Sequence, residues 1–188
     1  MYKEIFEKAY ELMNVNLIDG NCGELCNYHC CRSKHESGEN LGIYLLPYEY
    51  EEMQKGKGLI DEATLKVHTN KSYDLPYGIK KLFYGYCQDS NSCLRDTRPI
   101  QCRTFPFIAH IDKGEIMLVI EKDQEHNCPL IKSRENWNPD FEARILLAWE
   151  MLIQIEKIKI LVEFDSKVRI ESDNILYIYR VSPRSDNM

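Results

Sequence analysis

Four of the eight cysteines in the chain fall within ten residues, and thiols at this spacing could bind metal. The cluster reads C-x3-C-x3-C-C and comprises Cys22, Cys26, Cys30 and Cys31. Thiolate sulfur is a soft ligand that suits zinc, copper(I) and the iron of iron–sulfur clusters, whereas magnesium and calcium prefer oxygen. Ligands this close in sequence meet at one point with little loss of chain entropy. The spacing therefore predicts a metal site.

The arrangement of sulfurs within the cluster depends on its local structure. If the run is helical, Cys22, Cys26 and Cys30 lie near one face, because residues four apart are neighbours on a helix. Cys31 would then point roughly 100° away from Cys30. That geometry indicates a multinuclear cluster, two neighbouring sites, or one non-ligand in the pair.

A second, looser set of cysteines follows, and we expect the fold to bring both sets together around metal. It comprises Cys87, Cys93, Cys102 and Cys128. Arg98 and Arg103 flank Cys102, and guanidinium groups would offset the negative charge of several thiolates and favour the ligating form. The alternative is that these arginines form surface ion pairs with Asp96 and with glutamates.

Together, the two sets resemble a family of cysteine-cluster proteins that chelate zinc or iron and are often described as containing an iron–sulfur cluster. The family pattern is C-x2-C-x2-C-C, a cysteine pair, R-P-x-x-C-R-x-F-P, and a late cysteine before proline. Residues 98–106 read R-P-I-Q-C-R-T-F-P, and Cys128 precedes Pro129. All eight cysteines find a place in the pattern, over residues 20–130, although the first group has spacings of three rather than two.

The resemblance implies that the eight cysteines bind metal, with Arg98 and Arg103 beside the metal or cluster. Both zinc and an iron–sulfur cluster fit. Structural zinc takes four ligands, often from C-x2–4-C pairs, and iron–sulfur clusters commonly take three cysteines close together and one remote. His29 and His126 lie near the cysteines and could replace one as ligand, but we expect hydrogen-bonded or solvent-facing roles for them.

The reaction, if there is one, stays open at this stage. Flagellin lysine-N-methylases have a similar arrangement with a C-x3-C-C ending, which Cys26, Cys30 and Cys31 also show. This likeness implies a cluster-dependent protein lysine methyltransferase as one alternative, although no glycine-rich cofactor loop supports it. A metal carrier or chelator is another alternative to a resident metal site.

Composition favours a cytoplasmic protein without nucleic-acid or membrane partners. The 188 residues are 29% charged, with a formal net charge of −6, which disfavours nucleic-acid binding. The apolar run 145–153 contains Glu150 and is far shorter than the ~20 residues that span a bilayer. Lys3, Glu4, Glu7 and Lys8 argue against a signal peptide. In a reducing cytoplasm, eight cysteines favour metal ligation over disulfides.

The apolar patterning predicts one α+β domain over residues 1–188, with helices and short antiparallel hairpins around the cysteine-lined metal site. The predicted elements are a helix over 2–14, a strand over 43–46, a helix after Pro47, a hairpin of 104–111 with 115–120 around a three-residue turn, a helix from Asn138, and a final hairpin of 167–170 with 175–181. The metal-binding core covers about 20–130, and the last helix and hairpin cover 138–181. The oligomeric state and any protein partner are left open.

Overall fold

A computed structural model describes residues 2–34, 37–53, 66–71, 73–86, 95, 98–124 and 126–180. The fold is α+β, as predicted, with helices and small antiparallel sheets. The helices are α1 Lys3–Leu12, α2 Cys22–Leu25, α3 Glu49–Met53, α4 Ile100–Thr104, α5 Pro139–Leu152 and α6 Glu156–Glu171, with 3-10 segments at His29–Arg32 and Pro129–Asn136. The strands are β1 Ile43–Tyr44, β2 Lys66–Thr69, β3 Lys81–Gly85, β4 Ile108–Asp112, β5 Glu115–Ile120 and β6 Tyr177–Tyr179.

The strands form two antiparallel three-stranded sheets. The first has the order β1-β3-β2, and the second has the order β4-β5-β6. Ile43 pairs with Gly85 across β1 and β3, while Leu118 pairs with Tyr179 across β5 and β6. The predicted strand at 43–46 is therefore confirmed for its first two residues, and its partner is the aromatic strand that ends just before Cys87.

The predicted hairpin is present, but with different bounds. Its first strand begins at Ile108 because the preceding residues form α4. Asp112 pairs with Glu115, so the connection is the two-residue turn Lys113-Gly114 rather than three residues. Both turn residues have positive φ, 51° and 84°, as a type I′ turn requires.

Helix α5 begins where the sequence predicts it. The Asn138 side chain accepts a hydrogen bond from the backbone N–H of Asp140 at 3.0 Å, and Pro139 occupies the first turn. The predicted final hairpin is wrong, because residues 167–170 continue α6. Buried Ile158, Leu161 and Val162 give the first turns of this helix an apolar face. In its later turns, the buried residues are polar or charged, namely Ser166 and Arg169.

The hydrophobic core joins the long helices to both sheets. Phe6 of α1, Leu82 of β3, Leu118 of β5, Ile145 of α5 and Ile158 of α6 belong to one cluster of buried residues. Burial of this apolar surface is the main favourable contribution to folding. Among the described residues, no helix is long and apolar enough to cross a bilayer.

Candidate metal centre

The N-terminal cysteine segment is two short helical turns rather than one helix. α2 begins at Cys22, where the Asn21 side chain accepts a hydrogen bond from the N–H of Gly23 at 3.0 Å. Asn27 and Tyr28 then have φ of 52° and 54°, so they reverse the chain before the 3-10 turn. A Cβ atom on Gly23 would lie 2.6 Å from the Tyr28 ring, so this fold of the segment requires glycine there.

Four cysteines from three separate segments line one cavity of about 90 Å³, which we call the cysteine cavity. They are Cys22 of α2, Cys30 and Cys31 of the 3-10 turn, and Cys102 of α4. Cys26 and Cys128 do not line the cavity, but each lies close enough to a lining cysteine to interact with it electrostatically. Cys87 and Cys93 lie outside the described residues. The two cysteine sets predicted from the sequence thus meet through Cys102.

The two adjacent cysteines have neighbouring sulfurs. The Sγ atoms of Cys30 and Cys31 lie 3.9 Å apart, contrary to the divergence that an α-helix would impose. Two sulfurs bound at about 2.3 Å to one tetrahedral metal would lie roughly 3.8 Å apart. The pair therefore has a separation that a shared metal would need. Adjacent residues of a 3-10 turn diverge by about 120°, so the side-chain conformations of Cys30 and Cys31, and not the backbone turn, bring the two sulfurs together.

The environment of these thiols disfavours uncompensated negative charge. The hydrogen bond with Cys31, burial, and the nearby cysteines raise the pKa of the Cys30 thiol well above its ordinary value. Burial raises the pKa of Cys128 to about 11, and the charges of Cys26 and Cys22 contribute. Several thiolates in such a place require positive charge beside them.

Two arginines supply positive charge at the cysteine cavity. Arg98 lines it, is 9% exposed, and its Nη1 donates to the Sγ atom of Cys22 at 4.0 Å. Arg95 also lines it, and burial, together with the charge of Arg98, lowers the Arg95 pKa to about 10. The Nε atom of Arg95 is buried with no hydrogen-bond partner in the part of the chain that the structure describes. The sequence analysis missed Arg95, whose signal was only its position three residues before the Arg98-Pro99 motif.

Arg103 acts at a distance from the cavity. It is 3% exposed, and its Nε atom donates to the carbonyl oxygen of Arg98 at 2.8 Å. Its Nη1 donates to the carbonyl oxygen of Tyr10, and its guanidinium lies 4.6 Å from the centroid of the Tyr10 ring. Arg103 therefore orients the backbone at Arg98. Both arginines are buried rather than exposed at the surface, and Asp96, the ion-pair partner considered for them, lies outside the described residues.

A buried carboxylate missed by the sequence analysis connects α3 to α4. Glu49 is fully buried and accepts hydrogen bonds from the N–H of Ile100 at 2.7 Å, the N–H of Leu46 at 2.8 Å, and the hydroxyl of Tyr10 at 2.8 Å. Burial raises its pKa, although these bonds and the charge of Arg103 oppose that rise. Glu49 thereby fixes the first turn of the helix that carries Cys102.

The histidines are placed as hydrogen-bonding or exposed residues. His29 is exposed. His126 lines the cysteine cavity, with Nδ1 2.8 Å from the carbonyl oxygen of Cys30 and Nε2 3.2 Å from that of Gly42. His126 therefore links the cysteine segment to Gly42, the residue before β1, and each of its ring nitrogens faces a carbonyl oxygen.

The donor set suits a soft metal, although the described side chains are not arranged as a finished site. Within the described ranges, no three His, Cys, Asp or Glu side chains form a group that could hold a metal ion. The features that fit a metal–thiolate centre are four sulfurs around one small cavity, one sulfur pair at tetrahedral spacing, and two arginines, of which Arg98 is buried and Arg95 partly buried. Comparison with models of protein families, with curated proteins and with solved structures finds no match for this chain.

Proposed function

We propose that this protein binds zinc or an iron–sulfur cluster through its cysteine cluster, in the reducing environment of the cytoplasm. The observation that carries the proposal is the convergence of Cys22, Cys30, Cys31 and Cys102 on one cavity. Cys22 and Cys102 are 80 positions apart in the chain, so this convergence is a property of the fold rather than of local spacing.

The proposed ligands are the eight cysteines, with Cys22, Cys30, Cys31 and Cys102 supported most directly. Arg98 and Arg95 would neutralise the thiolates, and Arg103 would hold the Arg98 backbone. A bound zinc would supply tetrahedral cross-linking of the segments, and an iron–sulfur cluster would add electron transfer.

A resident metal is favoured over a carrier that hands metal on. Of the six cysteines that the structure describes, Cys128 is buried and the other five are partly buried. Handing metal to a partner requires thiolates that the partner can reach, whereas a closed structural site does not.

The test is elemental analysis and an absorption spectrum of protein purified without oxygen. Iron with matching acid-labile sulfide and visible absorption would identify a cluster, and stoichiometric zinc without colour would identify a zinc site. Cys30→Ser and Cys102→Ser should each lose most of the metal, whereas Ser37→Ala, on the exposed loop after the cluster, should retain it.

Two results would overturn the proposal. One is protein that contains no metal and in which all eight thiols react freely. The other is a pair of cysteine variants with unchanged metal content and unchanged melting temperature, since a lost ligand should lower both.

A further inference from the structure

A second and larger cavity is lined by residues of both sheets and of α6. It has a volume of about 530 Å³, within the ~300–1,000 Å³ typical of small-molecule sites. Its lining includes Tyr44 and Tyr84 of the first sheet, Ala109 of β4, and Asp165 and Arg169 of α6. We call it the α6 cavity. Its size and its mixture of aromatic and charged groups distinguish it from the small cysteine cavity.

Six aromatic side chains contribute to the walls of the α6 cavity. The aromatic side chains that line it are Tyr44, Tyr84, Phe105, Phe107, Trp149 and Phe164. Aromatic rings bury a large area at little cost in conformational entropy, and their negative faces attract cations. An occupant with an apolar body and a positive group would match both properties.

The positive charge in this cavity is already satisfied by the protein. Arg169 is 5% exposed, and its Nη2 donates to the carbonyl oxygen of Ala109 at 2.7 Å and to the hydroxyl of Ser166 at 3.3 Å. Its Nη1 pairs with the carboxylate of Glu121 at 3.3 Å. Because Arg169 and Glu121 neutralise each other, this pair leaves the cavity without net charge.

Asp165 supplies a further negative charge to the cavity. In the described part of the chain, its carboxylate has neither a hydrogen-bond partner nor an ion-pair partner. Burial raises the pKa of Asp165 to about 6, the charge of Arg169 lowers it, and that of Glu121 raises it. The carboxylate is therefore ionised at neutral pH in a place that penalises its charge, and a cationic ligand would remove that penalty.

We propose that the α6 cavity binds a small organic cation, an ammonium compound with an aromatic body. The carboxylate of Asp165 receives the ammonium group, and the aromatic walls pack against the body. The net charge of Asp165, Glu121 and Arg169 together is −1, so a monocation leaves the cavity neutral, whereas an anion is repelled.

This ligand site adjoins the cysteine cavity but does not depend on it. Gly42, Gln101, Phe105 and His126 line both cavities, so the two cavities share part of their walls. The groups that recognise the cation belong to α6 and to the aromatic walls. Binding should therefore occur whether or not the cysteines hold metal.

The test is isothermal titration calorimetry of the 188-residue chain with tryptamine, with indole-3-propionate as the anionic counterpart of similar shape. Tryptamine should bind, and indole-3-propionate should bind at least about tenfold more weakly. Asp165→Asn should weaken tryptamine binding by about tenfold or more, because it removes the charge and keeps the side-chain shape. The matched control is Glu163→Gln, an exposed residue of α6 that does not line the cavity.

Three results would overturn this proposal: no heat of tryptamine binding up to millimolar concentration, equal affinity for the two indole compounds, or equal affinity of the Asp165→Asn and unsubstituted proteins. A Val168→Trp variant provides a second check, because Val168 is half-exposed and lines the cavity. The larger side chain should weaken tryptamine binding by occupying the space, and unchanged affinity would place the ligand elsewhere.

Discussion

The two neighbouring cavities are built from different kinds of structure. The cysteine cavity is built on a four-residue helix, a four-residue 3-10 turn and the five-residue α4. The α6 cavity is built on a helix of sixteen residues and on a strand of the second sheet. Short helices are marginal by themselves, whereas long helices packed on a sheet are stabilised by core burial. The first cavity should therefore depend on individual side-chain contacts and on bound metal, and the second should persist without either.

The largest expected effect comes from removing the carboxylate that holds α4. Glu49→Gln keeps the size of the side chain but replaces one acceptor oxygen with a donor group, which opposes the N–H of either Leu46 or Ile100, since these two groups bind different oxygens. We expect a loss of roughly 3 kcal/mol in the free energy of unfolding, measured by urea denaturation. Metal content should fall as well, while folded protein should keep its tryptamine affinity.

The matched control for this variant is Glu51→Gln, the same chemical change at an exposed position of α3. It should change stability by less than about 0.5 kcal/mol. If Glu49→Gln loses tryptamine binding together with metal while Glu51→Gln keeps both, the two cavities are one cooperative unit and the proposed contrast between them is wrong.

A smaller effect, of opposite sign, is expected from Asp165→Asn. The pKa of Asp165 rises from 3.8 in the unfolded chain to about 6 in the folded protein, because burial penalises its charge. The folded state therefore binds the proton more tightly, and this carboxylate destabilises the fold progressively as pH rises from about 4 to 6. The penalty, on the order of 2–3 kcal/mol, is complete above pH 6 and absent below pH 4.

The measurement is urea denaturation at pH 4 and at pH 7. Asp165→Asn should be more stable than the unsubstituted protein at pH 7 and equally stable at pH 4. Equal stabilities at both values would show that the carboxylate is not penalised in the folded state. The same variant should lose cation binding, so stability and binding would change in opposite directions at one residue.

Structural features that depend on neighbouring residues could be predicted from the sequence, whereas those that depend on distant residues could not. The Asn138 cap and the Lys113-Gly114 turn depend on neighbours within a few residues, so their positions were predictable even where the turn type was not. The continuation of α6 through Arg169 was not predictable, because a buried arginine interrupts the apolar pattern that marks the buried face of a helix. Its burial depends on Ala109 and Glu121, far away in the sequence.

The candidate site divides in the same way. Cysteine and arginine reveal their chemistry by residue type, so the meeting of the two cysteine sets beside an arginine was predictable, whereas bound metal stays a prediction. Glu49 and Arg95 were missed because their roles arise only from long-range contacts. Glu49 resembles its exposed neighbour Glu51 in sequence, and only the fold separates a buried carboxylate from a solvated one.

The smallest expected effect tests the stability of the α6 cavity wall by itself. Lys113 has φ of 51°, and asparagine tolerates this conformation better than lysine, so Lys113→Asn should stabilise the β4–β5 turn by roughly 0.5 kcal/mol. Gly114→Ala is the opposite change. The φ of Gly114 is 84°, and the added Cβ would touch nothing within 4 Å. The free energy of unfolding should therefore fall by about 1 kcal/mol through backbone strain alone. Urea denaturation should show these opposite shifts with metal content unchanged. A change in metal content in either variant would mean that the structure of the cysteine cavity depends on the stability of the β4–β5 hairpin.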